Sequence, residues 1–388
     1  MNLGITGSAG RYPSLDGLRG IAIIAVLLRH AAYYWPQPLE SSFWNPWING
    51  WLGVNLFFVL SGFLIFQHLL NWWPEQNIRS FLSTFFLKRF LRIIPVYLIT
   101  LALAALCVIP EYTPVQPINW EITLQHLLFI QEYYSSPLVI PLWSVATEEK
   151  FYLLAPLIVA LFLRSNRAKF LSGLAAIASI YVAGKSLTIL LVPPDSYENY
   201  FWTFRAPFQH AAIHIAIGSS VALITHKRPS LQISTTTHKS LFATLCTILI
   251  LIFCSIDWLK TKQWLIADVV SLVFTAACAG LVFLLIQPRT YPHPILESRP
   301  LLFFAKISYP LYATHIMLIP LSIAACNTIS EFQQINFLAF AILYLALSIA
   351  LALIIHLLIE KPFLRIKDRL QYPERSNLTN PKIAADTP

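Results

Sequence analysis

Charge is what this sequence has least of. Asp, Glu, Lys and Arg make up 12% of its 388 residues, about half the roughly 25% of an average soluble domain. So few charges cannot cover a water-soluble fold of this length, which excludes an ordinary cytosolic enzyme and a disordered chain. Cysteine is also scarce. Cys107, Cys246, Cys254, Cys278 and Cys326 lie in or beside apolar runs without Cys-x-x-Cys spacing. They imply no disulfide framework and read as small buried hydrophobes. No glycine-rich phosphate loop, internal repeat or second soluble domain is present. The net charge of +9 comes in short basic clusters between apolar runs, a pattern that sets membrane topology and argues against a nucleic-acid partner.

What remains is a chain that is 57% hydrophobic. The sequence predicts an all-α polytopic membrane protein of about ten spans, near 16–35, 51–70, 88–109, 143–163, 170–192, 206–225, 240–257, 264–286, 307–326 and 336–359. Each can satisfy its backbone in lipid only as a helix. Segment 119–131 is shorter and amphipathic and reads as an interfacial helix on the outer face. With both termini in the cytoplasm, three of the 27 Lys and Arg residues (Arg205, Lys260, Lys262) fall in outer loops. Three more (Arg29, Lys150, Lys185) fall inside helices and the rest face the cytoplasm. That asymmetry obeys the positive-inside rule and predicts a multi-pass protein of the plasma (inner) membrane. The first run ends in Arg29 and His30 without a cleavage site and reads as a retained span. The expected domains are a cytoplasmic segment 1–13, a membrane domain 14–365 and a disordered cytoplasmic tail 366–388.

Ionisable groups inside spans are costly and therefore mark candidate sites. Arg19 and His30 are eleven residues apart in the first span, which puts them on one helix face about 16 Å apart along the axis. Lys88, Arg89 and Arg92 open the third span, where Arg89 and Arg92 neighbour each other and suit phosphate. Either set also fits topology anchoring. In PLWSVATEEKFY (141–152), Trp143 suits the outer interface. Glu148 lies about 8 Å inside the helix, at a depth where it can approach His30 and fix its tautomer. Glu149 and Lys150 read as a solvated pair. In KISYPLYATH (306–315), Ser308, Tyr309 and Tyr312 lie near the cytoplasmic start and His315 deeper. His210 and His214 have i, i+4 spacing but no His-Glu-x-x-His pattern, so no metal is expected.

These pieces together resemble the acyltransferase-3 family of membrane acyltransferases, from about residue 12 to 365. LDGLRGIAIIAVLLRH (15–30) is similar to the family's Arg-x10-His first helix and GVNLFFVLSGFLI (53–65) to its second-helix motif. KRFLRIIPVY (88–97) is similar to its Arg-x-x-Arg motif, PLWSVATEEKFY to its Trp-Ser-x-x-x-Glu motif and ISYPLYATH to its ninth-helix motif. Glu360-Lys361-Pro362 matches the closing triplet. Val145, Thr147 and Lys150 stand where Leu, Val and Gln are common. The resemblance is to the stand-alone form, without a fused esterase-like domain.

It implies transfer of an acyl group, most often acetyl from acetyl-CoA, to a hydroxyl of an extracytoplasmic or lipid-linked carbohydrate. His30 and Glu148 would be catalytic. Arg19, Arg89 and Arg92 would hold the donor. Trp143, Ser144, Tyr309 and His315 would bind substrate, and Trp120, Tyr133 and Tyr134 would offer stacking faces to sugar rings. The alternative is a multi-span transporter of a small polar substrate, but the paired broken helices of related halves are not evident.

Overall fold

The computed structural model describes residues 12–35, 46–74, 76–114, 118–135, 137–228, 233–287, 293–327 and 333–372. Every regular element among them is helical, as backbone self-sufficiency in lipid requires. In chain order they are α1 (Pro13–Tyr34), α2 (Leu52–Trp72), α3 (Ile78–Ala105), α4 (Trp120–Leu127), α5 (Trp143–Arg164), α6 (Arg167–Leu191) and α7 (Tyr197–Tyr200). Next come α8 (Phe208–Thr225), α9 (Thr235–Lys262), α10 (Trp264–Leu285), α11 (Arg299–Thr314), α12 (Leu318–Asn327), α13 (Gln333–Ile355) and α14 (Lys361–Arg369).

Seven helical stretches among the described residues are long and apolar enough to cross a membrane. They contain α2, α6, α8, α9, α10, α11 with α12, and α13 with α14. In α6 and α9 only 11% of the most apolar window is buried, and Ile177, Ile180, Ile250 and Leu251 are exposed. Apolar faces this extensive are stable against lipid and not against water. The chain is an all-α, multi-span integral membrane protein. Three further helices, α1, α3 and α5, run for 22, 28 and 22 residues and carry Arg19, Arg29, Arg89, Arg92, Glu148 and Lys150.

Several expected boundaries move. Helix α3 starts at Ile78, ahead of the apolar run near 88, so Arg79 and Lys88 are helical. An apolar pattern ends where lipid ends, whereas a helix continues into the interface. The tail boundary at 366 is crossed by α14, and beyond it the Tyr372 hydroxyl lies 2.7 Å from His68 Nε2; residues 373–388 lie outside the described residues. Segment 119–131 contains the short amphipathic α4, capped by Asn119, whose side chain accepts from the Ile122 N–H at 2.8 Å. Its Ile122 and His126 are buried while Trp120 stands 72% exposed. Among the cysteines, Cys278 and Cys326 are buried as expected, but Cys107 is exposed and Cys246 and Cys254 are half-buried.

Two backbone breaks position buried ionisable groups. The α11–α12 rod is interrupted by a 3-10 turn at His315–Met317, which turns His315 into the bundle. A π-helical segment, Phe201–Arg205, carries Arg205 to a buried position. The most extensive helix pairing joins α2 to α8. A Cβ on Gly62 would stand 2.1 Å from the Ile215 carbonyl oxygen, and one on Gly218 2.1 Å from that of Val59. This is the small-residue crossing by which membrane helices gain dispersion contact. Gly218→Val should therefore force the backbones apart, cost about 1–3 kcal/mol and lower the thermal midpoint in detergent. Gly173→Ala, where a Cβ meets nothing within 4 Å, should leave the midpoint in place. Equal midpoints for both variants would show that the crossing tolerates separation.

Candidate active site

Two cavities lie along α1. The first, of about 100 Å³, is lined by Arg19, Arg89, Arg92, Glu148, Ser144 and Tyr309, with Ser61, Tyr152, Ser308 and Tyr312. The expected arginine cluster is thus assembled from α1 and α3. Arg19 has Asp16 at 3.6 Å. The Arg89 guanidinium carbon lies 5.6 Å from the Phe85 ring centre and 5.8 Å from that of Tyr152, and its buried Nε has no partner among the described residues. A buried donor left open is costly, and three guanidiniums facing one carboxylate on the wall favour an anion. Lys88 stands apart, its Nζ 4.2 Å from the centre of the Tyr372 ring.

Glu148 belongs to this first cavity. Its Oε1 accepts from Ser61 Oγ at 2.7 Å and its Oε2 from the Tyr152 hydroxyl at 3.0 Å. No hydrogen bond joins it to His30 among the described residues. The neighbouring Lys150 pairs with Glu132 and the Phe129 carbonyl, and not with Glu149 as a solvated pair. Glu132 is fully buried. Burial pushes its carboxyl above the usual range and the bond from Lys150 pulls it back.

The second cavity, of about 250 Å³, is lined by His30, Arg29, Tyr33, Tyr34, Trp51, Trp143, Tyr197, Trp202 and Arg205. The partner of His30 here is His315, which comes from the interrupted α11–α12 rod. His30 Nδ1 lies 2.9 Å from the Val26 carbonyl and 3.1 Å from His315 Nε2. His315 Nδ1 lies 3.0 and 2.8 Å from the carbonyls of Leu311 and Tyr312. Carbonyls only accept, so the partners assign both tautomers. His315 carries its proton on Nδ1, and its Nε2 accepts from His30 Nδ1–H. His30 Nε2 is left as the basic nitrogen, without a hydrogen bond among the described residues. An imidazole in this state has a free lone pair on Nε2, and the second histidine holds the ring in place.

The cavities share Val54 and Tyr312 in their walls. The Tyr312 and Ser144 hydroxyls stand 2.7 Å apart there, and the Tyr309 hydroxyl donates to the Ile93 carbonyl at 2.8 Å. The eleven-residue spacing thus puts Arg19 on one cavity and His30 on the other. Trp143 faces the second cavity, but Trp120, Tyr133 and Tyr134 are exposed elsewhere. His214 Nδ1 lies 2.7 Å from Thr275 Oγ1 and His210 meets Tyr181. Among the described residues no group of three or more His, Cys, Asp or Glu is placed to hold a metal.

Two buried arginines lie outside the expected site, Arg205 and Arg29. Arg205, counted as an outer-loop charge, is 7% exposed and bonded to α2. Arg29 is 4% exposed and met the same criterion of charge inside a span that singled out His30. Ser61, the polar partner of Glu148, was visible as a hydroxyl within an apolar run.

A family model described as an acyltransferase domain matches residues 12–357. The chain is 27% identical over 371 residues to the peptidoglycan O-acetyltransferase OatA of Listeria monocytogenes, covering 90% of this chain and 55% of that protein. It is 26% identical to the putative peptidoglycan O-acetyltransferase YrhL of Bacillus subtilis, over 80% of this chain and 49% of the other. It is also 26% identical to the O-acetyltransferase OatA of Staphylococcus aureus, over 79% and 50%. The chain spans about half the length of the curated relatives it matches. No solved structure matches it. Motifs, cavities and family model converge, and the chain belongs to the acyltransferase-3 family.

Proposed function

We propose that the protein transfers an acyl group, acetyl in the first instance, from acyl-CoA to a carbohydrate hydroxyl on the far side of the membrane. The observation that carries this reading is the pairing of an arginine-lined cavity with a cavity holding an open imidazole nitrogen across the Tyr312–Ser144 wall. The relatives named as O-acetyltransferases support acetyl as the group and a cell-envelope glycan as the acceptor.

In the reaction, Arg19, Arg89 and Arg92 hold the CoA phosphates by charge-assisted hydrogen bonds. The pantetheine arm carries the thioester past Tyr312. His30 Nε2 takes the proton of the acceptor hydroxyl as its oxygen attacks the thioester carbonyl. The C–S bond breaks, and the imidazolium returns the proton to the leaving thiolate, giving the ester and free CoA. His315 accepts from His30 Nδ1–H throughout and disperses the imidazolium charge. Glu148 orients Ser61 and Tyr152 and balances the arginines. The positive-inside asymmetry supports ten spans with both termini cytoplasmic, α1, α3 and α5 adding to the seven apolar ones, and the donor cavity opening inward.

Reporter fusions at Thr113 and Asn199 should then read external, and at Asn77 and Ser165 cytoplasmic; an internal signal at Thr113 would overturn the ten-span arrangement. Arg89→Ala should raise KM for acetyl-CoA by about 10–150-fold, the scale of a lost charge-assisted bond, with a smaller change for the acceptor. Arg89→Lys should recover only part of this. Normal donor kinetics in a well-inserted Arg89→Ala protein would return the cluster to topology anchoring. His30→Ala should lose about 100-fold or more in kcat, measured as free CoA thiol released from acetyl-CoA in the presence of acceptor. His315→Gln, which keeps an acceptor for Nδ1–H, should lose less than His30→Ala. A transporter would release no thiol, and near-wild-type turnover in His30→Ala would reject His30 as the base.

A further inference from the structure

Arg29 and Arg205 line the cavity of His30, and the reaction above gives neither a role. Arg29 makes no hydrogen bond or ion pair among the described residues. Its guanidinium carbon lies 4.4 Å from the centre of the Tyr33 ring and 5.3 Å from that of Tyr197. Arg205 donates from Nη2 to the Trp51 carbonyl at 3.0 Å and to Asn55 Oδ1 at 3.2 Å, and its guanidinium carbon lies 4.0 Å from the centre of the Trp51 ring. Its buried Nε has no partner among the described residues. Both arginines are therefore buried with neutral partners only. The carboxylate on the cavity wall, Glu198, is exposed and forms no ion pair with either among the described residues. The nearby buried carboxylate of Asp268 is already matched by Lys185 and Tyr200, each 2.7 Å from its Oδ1.

Two unpaired guanidiniums at membrane depth are costly, and ring faces offset only part of that cost. An anion entering the cavity would supply the missing partner. The same walls offer the flat faces of Trp51, Trp143, Tyr197 and Trp202, which suit the C–H faces of a sugar ring. Resting on the acyl-transfer reading, we propose that this cavity selects an anionic acceptor, a saccharide bearing a carboxylate or phosphate beside the hydroxyl that is acylated. Arg29 and Arg205 are then specificity-determining residues. His30 meets the hydroxyl and the arginines meet the charge, which fixes which hydroxyl faces the imidazole.

The test uses the full chain in detergent with acetyl-CoA, following thiol release. The acceptors are an N-acetylglucosamine tetramer, a muramic-acid oligosaccharide, the same oligosaccharide with its carboxylate converted to the neutral amide, and N-acetylglucosamine 1-phosphate. The carboxylate form should exceed its amide in kcat/KM by about tenfold or more. Arg29→Ala should bring that ratio close to one. Because Arg205 also ties Trp51 and Asn55, the amide comparison in wild-type protein keeps the test independent of an Arg205→Gln variant that fails to fold. A preference for the phosphate over the carboxylate would identify the anion as phosphate and uphold the proposal. Equal kcat/KM for carboxylate and amide would overturn the anionic acceptor alone. Absence of thiol release with every acceptor would overturn the acyl-transfer reading and this inference with it.

Discussion

A charge in hydrocarbon costs several kcal/mol unless it faces protein or water, and the arrangement of this bundle derives from that cost. Helices α1, α3 and α5 carry guanidiniums and carboxylates, so they turn those faces toward one another and enclose them. Helices α6 and α9 keep most of their charges near their ends, and only 11% of the apolar window of each is buried. Even the exception on α6 obeys the constraint. Lys185 and Ile189 are its buried residues, and Lys185 pairs with Asp268 of α10 at 2.7 Å. This buried ion pair, with the Tyr181–His210 contact and the bonds of Arg167 to the Leu223 and His226 carbonyls, ties down a helix whose surface is otherwise largely exposed. Removing one partner would leave the other charge stranded, which is costlier than never having had the pair.

Helix α1 acts as a ruler. Eleven residues return the side chain to nearly the same face, so one rigid rod presents Arg19 to one cavity and His30 to the other. The distance between the groups is fixed by helical rise and needs no further contact to maintain it. The 3-10 turn at His315–Met317 complements this rigidity. In an unbroken helix a histidine ring meets the carbonyl four residues back, as His30 meets Val26 and His126 meets Ile122. At the turn the His315 ring meets the carbonyls of both Leu311 and Tyr312 and presents Nε2 to His30. Backbone geometry thereby sets the tautomer of one imidazole, and that imidazole sets the tautomer of the next.

The features legible in the sequence are those that depend on one helix at a time. The Arg19–His30 spacing, the Arg89–Arg92 neighbours and the start of α5 at Trp143 come from rise per residue and local start signals. The pairing of Glu148 with His30 required knowing how α5 rotates against α1 and α2. Rotation is set by packing between helices, such as the Phe66 and Phe151 rings of α2 and α5 stacked 5.6 Å apart, which no single segment encodes. Glu148 accordingly faces Ser61 and the arginines. Arg205 was misread for a similar reason. A π-helical segment adds a residue to the turn and redirects the side chains beyond it, so a charge counted in an outer loop lies under Trp51. Arg29 was legible by cost alone, but its place in a cavity depends on Tyr197, far along the chain.

Among the described residues the two cavities meet at a wall. Val54, Tyr312 and the Tyr312–Ser144 hydrogen bond stand between them, while guanidiniums line both sides. For the proposed reaction this division separates charge from chemistry. Phosphates would be retained by Arg19, Arg89 and Arg92, and an anionic acceptor by Arg29 and Arg205, so neither charged partner would have to cross. The thioester arm is uncharged and narrow, and it alone needs to pass a wall made of one hydroxyl pair and apolar side chains. Displacing that hydrogen bond costs about 0.5–1.5 kcal/mol, whereas carrying a phosphate through hydrocarbon costs far more. In the proposed reaction, then, the acyl group would cross this wall while the charged groups of both partners stayed on their own sides.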